Sequence, residues 1–288
     1  MSRTDFIVIG GGINSLTIAA LLGQAGKKVL LLEAREEVGG MASTVEFSSG
    51  FKCNIIHDSV KWIDPRVMEK LNLDAHRLLL HSPTVVRFAL DSNGNHISFH
   101  RDPDETAASI KNHSDKDAKA WENFTKNINN LTLFLEKLYE LTPPKMPNIG
   151  LKEAFSMRSM LSPIRKHGTR GLTDFMRLAP MMMPELMDEW FESELLRAVV
   201  STAGIHHLSF GPFAAGTGYN LLHQHVHSHG VFHQAQFVNG GTGELANAIK
   251  SSAESYHVEL RTNTKVSAIN LSNGLCTGVT LESGESIE

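Results

Sequence analysis

The chain opens on two apolar runs joined by a helix-like stretch. Phe6-Ile7-Val8-Ile9 is uninterrupted, as a strand buried on both faces requires. Gly10-Gly11-Gly12 follows at once. Leu16, Ile18, Ala19, Ala20, Leu21 and Leu22 then recur at helical spacing up to Gly26. Lys27 and Lys28 precede a second run, Val29-Leu30-Leu31-Leu32, which ends at Glu33. The pattern predicts strand, glycine turn, helix, strand and acid, a complete βαβ unit.

Further along, residues 102–197 are rich in helix formers. Asp117–Leu141 carries apolar residues at helical spacing, and Leu186–Val200 does the same around Trp190 and Phe191. Pro143, Pro144 and Pro147 break the first helical region; Pro163, Pro180 and Pro184 punctuate the second. The run Met181-Met182-Met183 reads as core filler. After Gly240-Gly241 a helix is expected from Ala246 to Tyr256. Short strands and hairpins follow around Val258–Arg261, Thr264–Ile269 and Gly278–Glu285, with Ser-Gly and Asn-Gly turns. These shifts divide the chain into 1–100, a helical subdomain at 101–205, and 206–288.

Composition narrows the function. The 288 residues are 41% hydrophobic and 20% charged, enough for a sizeable core. A net charge of -4 argues against a general affinity for nucleic acid or acidic membranes. Cys53 and Cys276 are too few for a disulfide framework and form no Cys-x-x-Cys, so a reducing, cytoplasmic setting is expected. The first strand begins near Asp5, which on this reading leaves no room for a targeting peptide ahead of it. The longest apolar runs are far too short to span a bilayer.

The glycine turn carries the candidate chemistry. Gly10 permits a tight turn out of the strand, and Gly12 lets a pyrophosphate approach the backbone. The helix N-terminus, through Ile13, Asn14 and Ser15, offers N–H groups and a positive dipole end. Ser15 replaces the third glycine of the dinucleotide fingerprint and is small enough for close helix–strand packing. Glu33, with Ala34 after it, is placed to accept ribose hydroxyls and would repel a 2′-phosphate, which speaks against NADP at this position.

A second pair, Gly39-Gly40, follows in Val38-Gly39-Gly40-Met41-Ala42-Ser43-Thr44. A simple NAD dehydrogenase has no need of it. With this pair the chain resembles FAD enzymes of the glutathione reductase superfamily, in the amine oxidase and phytoene desaturase branch. Within that branch it is similar to the pyridine nucleotide-disulfide oxidoreductase domain 2-like proteins. The stretches Gly211-Pro212-Phe213, Gly216-Thr217-Gly218-Tyr219 and Leu221-Leu222-His223 through Gly241 share the likeness, which is vague between about 101 and 201.

The resemblance implies an α/β fold: a Rossmann-like FAD-binding domain of glutathione reductase type, with an inserted, largely helical substrate or cap subdomain. It implies that Gly39, Gly40, Ala42 and Ser43 face FAD, that the Val266 backbone meets the adenine, and that His57 lies on the flavin side as an active-site candidate. Met41 stands where many relatives carry arginine. The implied activity is a desaturase or dehydrogenase taking a hydride from a small hydrophobic substrate. Full-length relatives run further than Glu288, so the likeness also implies a fragment, a degenerate homologue, or one piece of a split enzyme completed by a second polypeptide. Two rivals stand beside it: a non-catalytic protein-binding module like the Rab GDP-dissociation inhibitors of the same superfamily, and a simple NAD dehydrogenase.

The 15 histidines cluster late in the chain. His223, His225, His227 and His229 alternate, which on a strand puts four imidazoles on one face and within reach of zinc or copper. No carboxylate or thiol is interleaved, and no metal is assigned.

Overall fold

A computed structural model describes residues 4–56, 58–140, 143, 150, 173–228, 232 and 236–288. The chain divides into two compact units, residues 1–82 with 236–288, and residues 83–235. The dividing points fall at 82/83 and 235/236 rather than at 100/101 and 205/206. Packing decides this: Ile97 and Phe99, and later Leu221, Leu222 and Phe232, belong to the core of the second unit.

In the first unit, β1 (Phe6–Ile9), α1 (Ile13–Gln24) and β2 (Val29–Leu32) form the expected βαβ, with Phe6 to Ile9 registered in parallel on Val29 to Leu32. The helix buries Leu16, Ala19, Ala20 and Gly23. It stops at Gly26, whose φ of +76° is open to glycine alone at no cost, and whose N–H donates to the Gly23 carbonyl at 2.8 Å. The other flank of β2 pairs in parallel with a late strand, Glu259–Arg261, giving the spatial order β1, β2, late strand. All four residues of β2 are buried, because it is the central strand.

Both faces of this sheet are covered. On one, α1 and the late helix Gly243–Ser255 bury Leu16, Ala20, Val29 and Leu31 against Leu245, Ala246 and Ile249. On the other, the antiparallel meander Val266–Ser272, Leu275–Leu281 and Ser286–Ile287 lays Val279, Leu281 and Ile287 over Leu30 and Leu32. One expectation fails here. β1 was expected to be buried on both faces, yet Phe6 and Ile9 are 43% and 46% exposed. β1 is the edge of the sheet, with β2 its only strand partner among the described residues. A hairpin of β3 (Thr44–Ser48) and β4 (Phe51–Asn54) and the short helix α2 (Pro65–Lys70) fill the stretch that follows. The short strand β5 (Leu80–His81) pairs with Phe237–Val238.

The second unit starts with the hairpin β6 (Val85–Leu90) and β7 (His96–His100), then α3 (Pro103–Lys111) and α4 (Asp115–Tyr139). Asp102 caps α3 ahead of Pro103 at its first position, and the Ser114 hydroxyl caps α4. The helical period of 117–141 is realised in α4, which buries Trp121, Phe124, Ile128, Leu131 and Leu135. The stretch 186–200 is two helices, Met183–Trp190 and Glu194–Ile205. The break arises where the fully buried Asp117 carboxylate accepts the N–H groups of Glu192 and Ser193 at 2.9 and 2.8 Å, and Ser193 caps the second helix. Met183 and Met187 are core residues, as expected. No helix among the described residues is long and apolar enough to cross a membrane.

Candidate functional site

The three glycines of the first turn do different work. Gly10 has a φ of +92°, a conformation glycine adopts without strain. Gly11 is packed: a Cβ there would lie 2.9 Å from Val38 Cγ1 and 3.0 Å from Glu33 Oε2. Gly12 is different from both. Its φ of −70° and ψ of 166° suit any residue, and a Cβ would meet nothing within 4 Å. Nothing in the protein requires glycine at 12; its absent side chain leaves an open cradle at the start of α1. That helix has no side-chain cap and no acidic residue in its first turn. The free N–H groups of Ile13, Asn14 and Ser15 and the positive end of the dipole therefore face this cradle unopposed. These are the features a pyrophosphate requires.

Glu33 stands beside the turn, 8% exposed. Its Oε2 accepts the Gly11 N–H at 2.5 Å and its Oε1 accepts the Arg35 N–H at 2.8 Å. A carboxylate has about four acceptor positions, so each oxygen retains one for a ribose hydroxyl. Its backbone is held as firmly: the Glu33 N–H donates to the Arg261 carbonyl at 2.9 Å, and the Thr264 N–H donates to the Glu33 carbonyl at 2.8 Å. Val266 begins its strand two residues after Thr264, so the adenine-side residue and the ribose acid are on neighbouring backbone. Ala34 is exposed next to Glu33. The expected sugar-binding acid thus has a second task, bracing the glycine turn, which the sequence did not show.

The second glycine pair packs directly on the first. The Gly39 N–H donates to the Gly11 carbonyl at 2.7 Å, and Gly12 and Gly39 form a parallel bridge. Gly39 has a φ of +117°, and a Cβ on it would lie 3.1 Å from Ser43 Oγ and 3.2 Å from Ala246 Cβ. A Cβ on Gly40 would lie 3.4 Å from Gly12 Cα. The turn Gly40–Ala42 is therefore held against the cradle, with Met41 66% exposed. The Ser43 hydroxyl donates to the Gly40 carbonyl at 2.8 Å and closes that turn. His57 lies outside the described residues.

Sequence reading missed the lock beneath this turn. The Thr44 hydroxyl donates to Asn54 Oδ1 at 2.7 Å and accepts the Gly243 N–H at 2.9 Å, while Asn54 Oδ1 also accepts the Thr242 N–H at 2.9 Å. The hairpin β3–β4 and the N-terminus of the late helix are thereby fixed to one another. Gly241 and Gly243 lie so close that a Cβ on Gly241 would come within 2.4 Å of Thr44 Oγ1. The only signal in the sequence was Gly-Gly-Thr-Gly. Replacing Thr44 with valine keeps the shape and removes both bonds. It is expected to cost about 1–3 kcal/mol of stability, read from thermal or urea unfolding.

The second unit holds a separate polar cluster. The Tyr139 hydroxyl is 2.7 Å from the Tyr219 hydroxyl and 2.8 Å from His223 Nδ1, and the Tyr219 and His223 rings stack at 6.4 Å. Burial and the bond with Tyr219 hold the Tyr139 phenol well above the usual tyrosine range. His223 and His225 lie on the helix Thr217–His225, not on a strand. That helix starts at Gly216 in the left-handed region and buries Leu221, Leu222 and His225, whose Nδ1 bonds the Leu221 carbonyl at 2.5 Å. The alternating imidazoles therefore do not share a face. His227 has a φ of +62° and lies 3.7 Å from the Glu136 carboxylate; His229 and His233 lie outside the described residues. Among the described residues no group of three metal-ligating side chains comes together.

Comparison with known proteins decides between the dinucleotide families. Residues 16–288 match the flavin containing amine oxidoreductases. The chain belongs to this family. These are FAD-dependent oxidoreductases, and FAD is the cofactor of the fold. Pyridine nucleotide-disulfide oxidoreductase domain-containing protein 2 of Rattus norvegicus is 30% identical over 98% of this chain. A subunit of the limonene dehydrogenase of Castellaniella defragrans is 36% identical over 120 residues, 41% of this chain and 22% of its own length. Among solved structures, a putrescine oxidase variant superposes with a TM-score of 0.58 at 15% identity, over 99% of this chain and 56% of its own. That last likeness shows the fold alone. The chain spans 51% of the rat protein's length. Within the flavin amine oxidoreductase family, the Gly10–Gly12 cradle and Glu33 fit the adenosine and pyrophosphate portion of FAD.

Proposed function

We propose that this chain is the dinucleotide-binding part of a flavoprotein oxidoreductase that takes a hydride from a small hydrophobic substrate and is completed by a second polypeptide. The open cradle at Gly12, with a buried carboxylate beside it, carries the reading. The family match supports the redox class. The limonene dehydrogenase relative, named for a hydrocarbon substrate and as one of several subunits, supports the other two elements.

A bound flavin supplies the acceptor for a hydride leaving a substrate C–H or C–N bond. The chain's own groups do the holding. The N–H groups of Gly12, Ile13, Asn14 and Ser15 bind the pyrophosphate at the positive end of α1. Glu33 accepts the ribose hydroxyls on the side of its carboxylate away from Gly11 and Arg35. The Val266 backbone meets the adenine, and Gly39, Gly40, Ala42 and Ser43 line the cofactor's path. A reducing, cytoplasmic setting belongs to the same reading; Cys53 and Cys276 are both free thiols.

The purified chain, with and without added FAD, tests this by its visible absorption. The bands of oxidised flavin, retained through gel filtration, are the expected result. A protein that stays colourless with excess FAD sinks the cofactor assignment and leaves the protein-binding reading in its place.

A further inference from the structure

β1 has the sequence of an interior strand and the position of an edge. Phe6-Ile7-Val8-Ile9 contains no charge and no proline, the devices that guard an exposed edge against pairing. The N–H groups of Phe6 and Gly10 point to β2, donating to the Lys28 and Leu32 carbonyls. Alternation turns the backbone groups of Ile7 and Ile9 to the opposite side, where no described strand pairs with them.

The meander provides a second observation. It extends past the edge of the sheet it covers, so that Ile269 and Leu275 are 58% and 72% exposed. Between it and β1 runs a groove of about 710 Å³, lined by Phe6, Ile7, Ile9, Ile269, Leu275 and Val279. A strand in a layered sheet occupies about 160 Å³ per residue, from spacings of about 4.8 and 10 Å and a rise of about 3.3 Å, so the groove takes about four residues. That matches the length of β1.

We infer that this groove seats one β-strand of a second polypeptide, running parallel to β1, whose apolar residues fill the space under the meander. The inference rests on the reading that a second polypeptide completes the enzyme, and it names where that happens. The sheet's direction sets the strand's: β1, β2 and the late strand are all parallel. A fourth parallel strand beyond β1 reverses the strand order there, and dinucleotides bind at such a reversal, beyond the strands' carboxyl ends, where Gly10 lies. Length supplies the partner's identity by class. The chain spans half of its full-length relative, so the occupant belongs to the half of the flavoenzyme fold that this chain does not span. A second copy fits poorly, because its own β1 would arrive under its own overhanging meander.

The two cysteines report the answer. Cys276 lines the groove, and Cys53 is exposed on β4 outside it. The chain is co-expressed with the half of the rat relative that it does not match, and N-ethylmaleimide labelling of each cysteine is followed by mass spectrometry. A one-to-one complex is expected, in which labelling of Cys276 slows at least about tenfold while that of Cys53 changes less than about twofold. Ile9→Lys and Leu275→Lys, each checked for folding by circular dichroism, are both expected to abolish the complex, and Phe47→Lys on the exposed β3 to preserve it. A complex that leaves Cys276 fully reactive, or that tolerates both groove variants, overturns the groove assignment while the two-polypeptide reading survives. No complex at all overturns both. A dimer of this chain alone that protects Cys276 overturns the inference in favour of a second copy.

Discussion

Gly12→Ala is expected to leave the chain as stable as before and to weaken FAD binding about a hundredfold. The two effects separate because the structure gives glycine no folding task at this position. The backbone at Gly12 is ordinary, and a methyl group there touches nothing within 4 Å. Losing glycine also narrows the unfolded ensemble, so stability holds or rises by about 0.4–1 kcal/mol. The methyl group instead enters the space over the first turn of α1, where the pyrophosphate must reach the free N–H groups. A hundredfold loss corresponds to about 2.7 kcal/mol. Thermal unfolding without cofactor and titration with FAD, followed by flavin fluorescence, measure the two sides independently. A variant that binds FAD within about threefold of the parent shows that the phosphates do not lie against Gly12.

Gly241→Ala is the opposite case, a glycine with no ligand task whose loss damages the fold. Its φ is +101°, which costs a residue with a side chain about 1–3 kcal/mol. Its Cβ would also lie 2.4 Å from Thr44 Oγ1 and 2.7 Å from Asn54 Oδ1. Those atoms cannot retreat cheaply, because they bond each other and the N–H groups of Thr242 and Gly243. Overpacking adds about 1–3 kcal/mol. The sum, about 2–6 kcal/mol, lowers Tm by about 5–15 °C in a chain of this size. FAD affinity is expected to fall with it, since the same lock holds the hairpin that follows Gly39–Ser43. A Tm within about 2 °C of the parent would show that this network does not pack as described.

These two glycines show how much of the site was legible in advance. The role of Gly12 was readable because the unit around it is local: apolar run, glycine turn, helix and acid follow one another, and each is set by short-range sterics and burial. Gly241 was read only as part of a turn. Its need for glycine comes from Thr44 and Asn54, which the fold brings from far along the chain. The bracing of Gly11 by Glu33 and the seating of Gly39 on the first turn were hidden for the same reason. The alternating histidines misled in the other direction, since a period of two was read as a strand. The left-handed Gly216 and the buried face through Leu221 and Leu222 make a helix of that stretch instead.

The amino-acid sequence by itself determined the βαβ unit, the position of the acid after β2, the glycine turn and the long helix of the second unit. All of these depend on neighbours within a few residues. Tertiary structure alone decided that the two glycine clusters form one site, that Glu33 braces as well as binds, and that β1 stands at an edge. Which strand lies beside which is a contest among distant segments, and loop closure and shared burial settle it where local preference is silent.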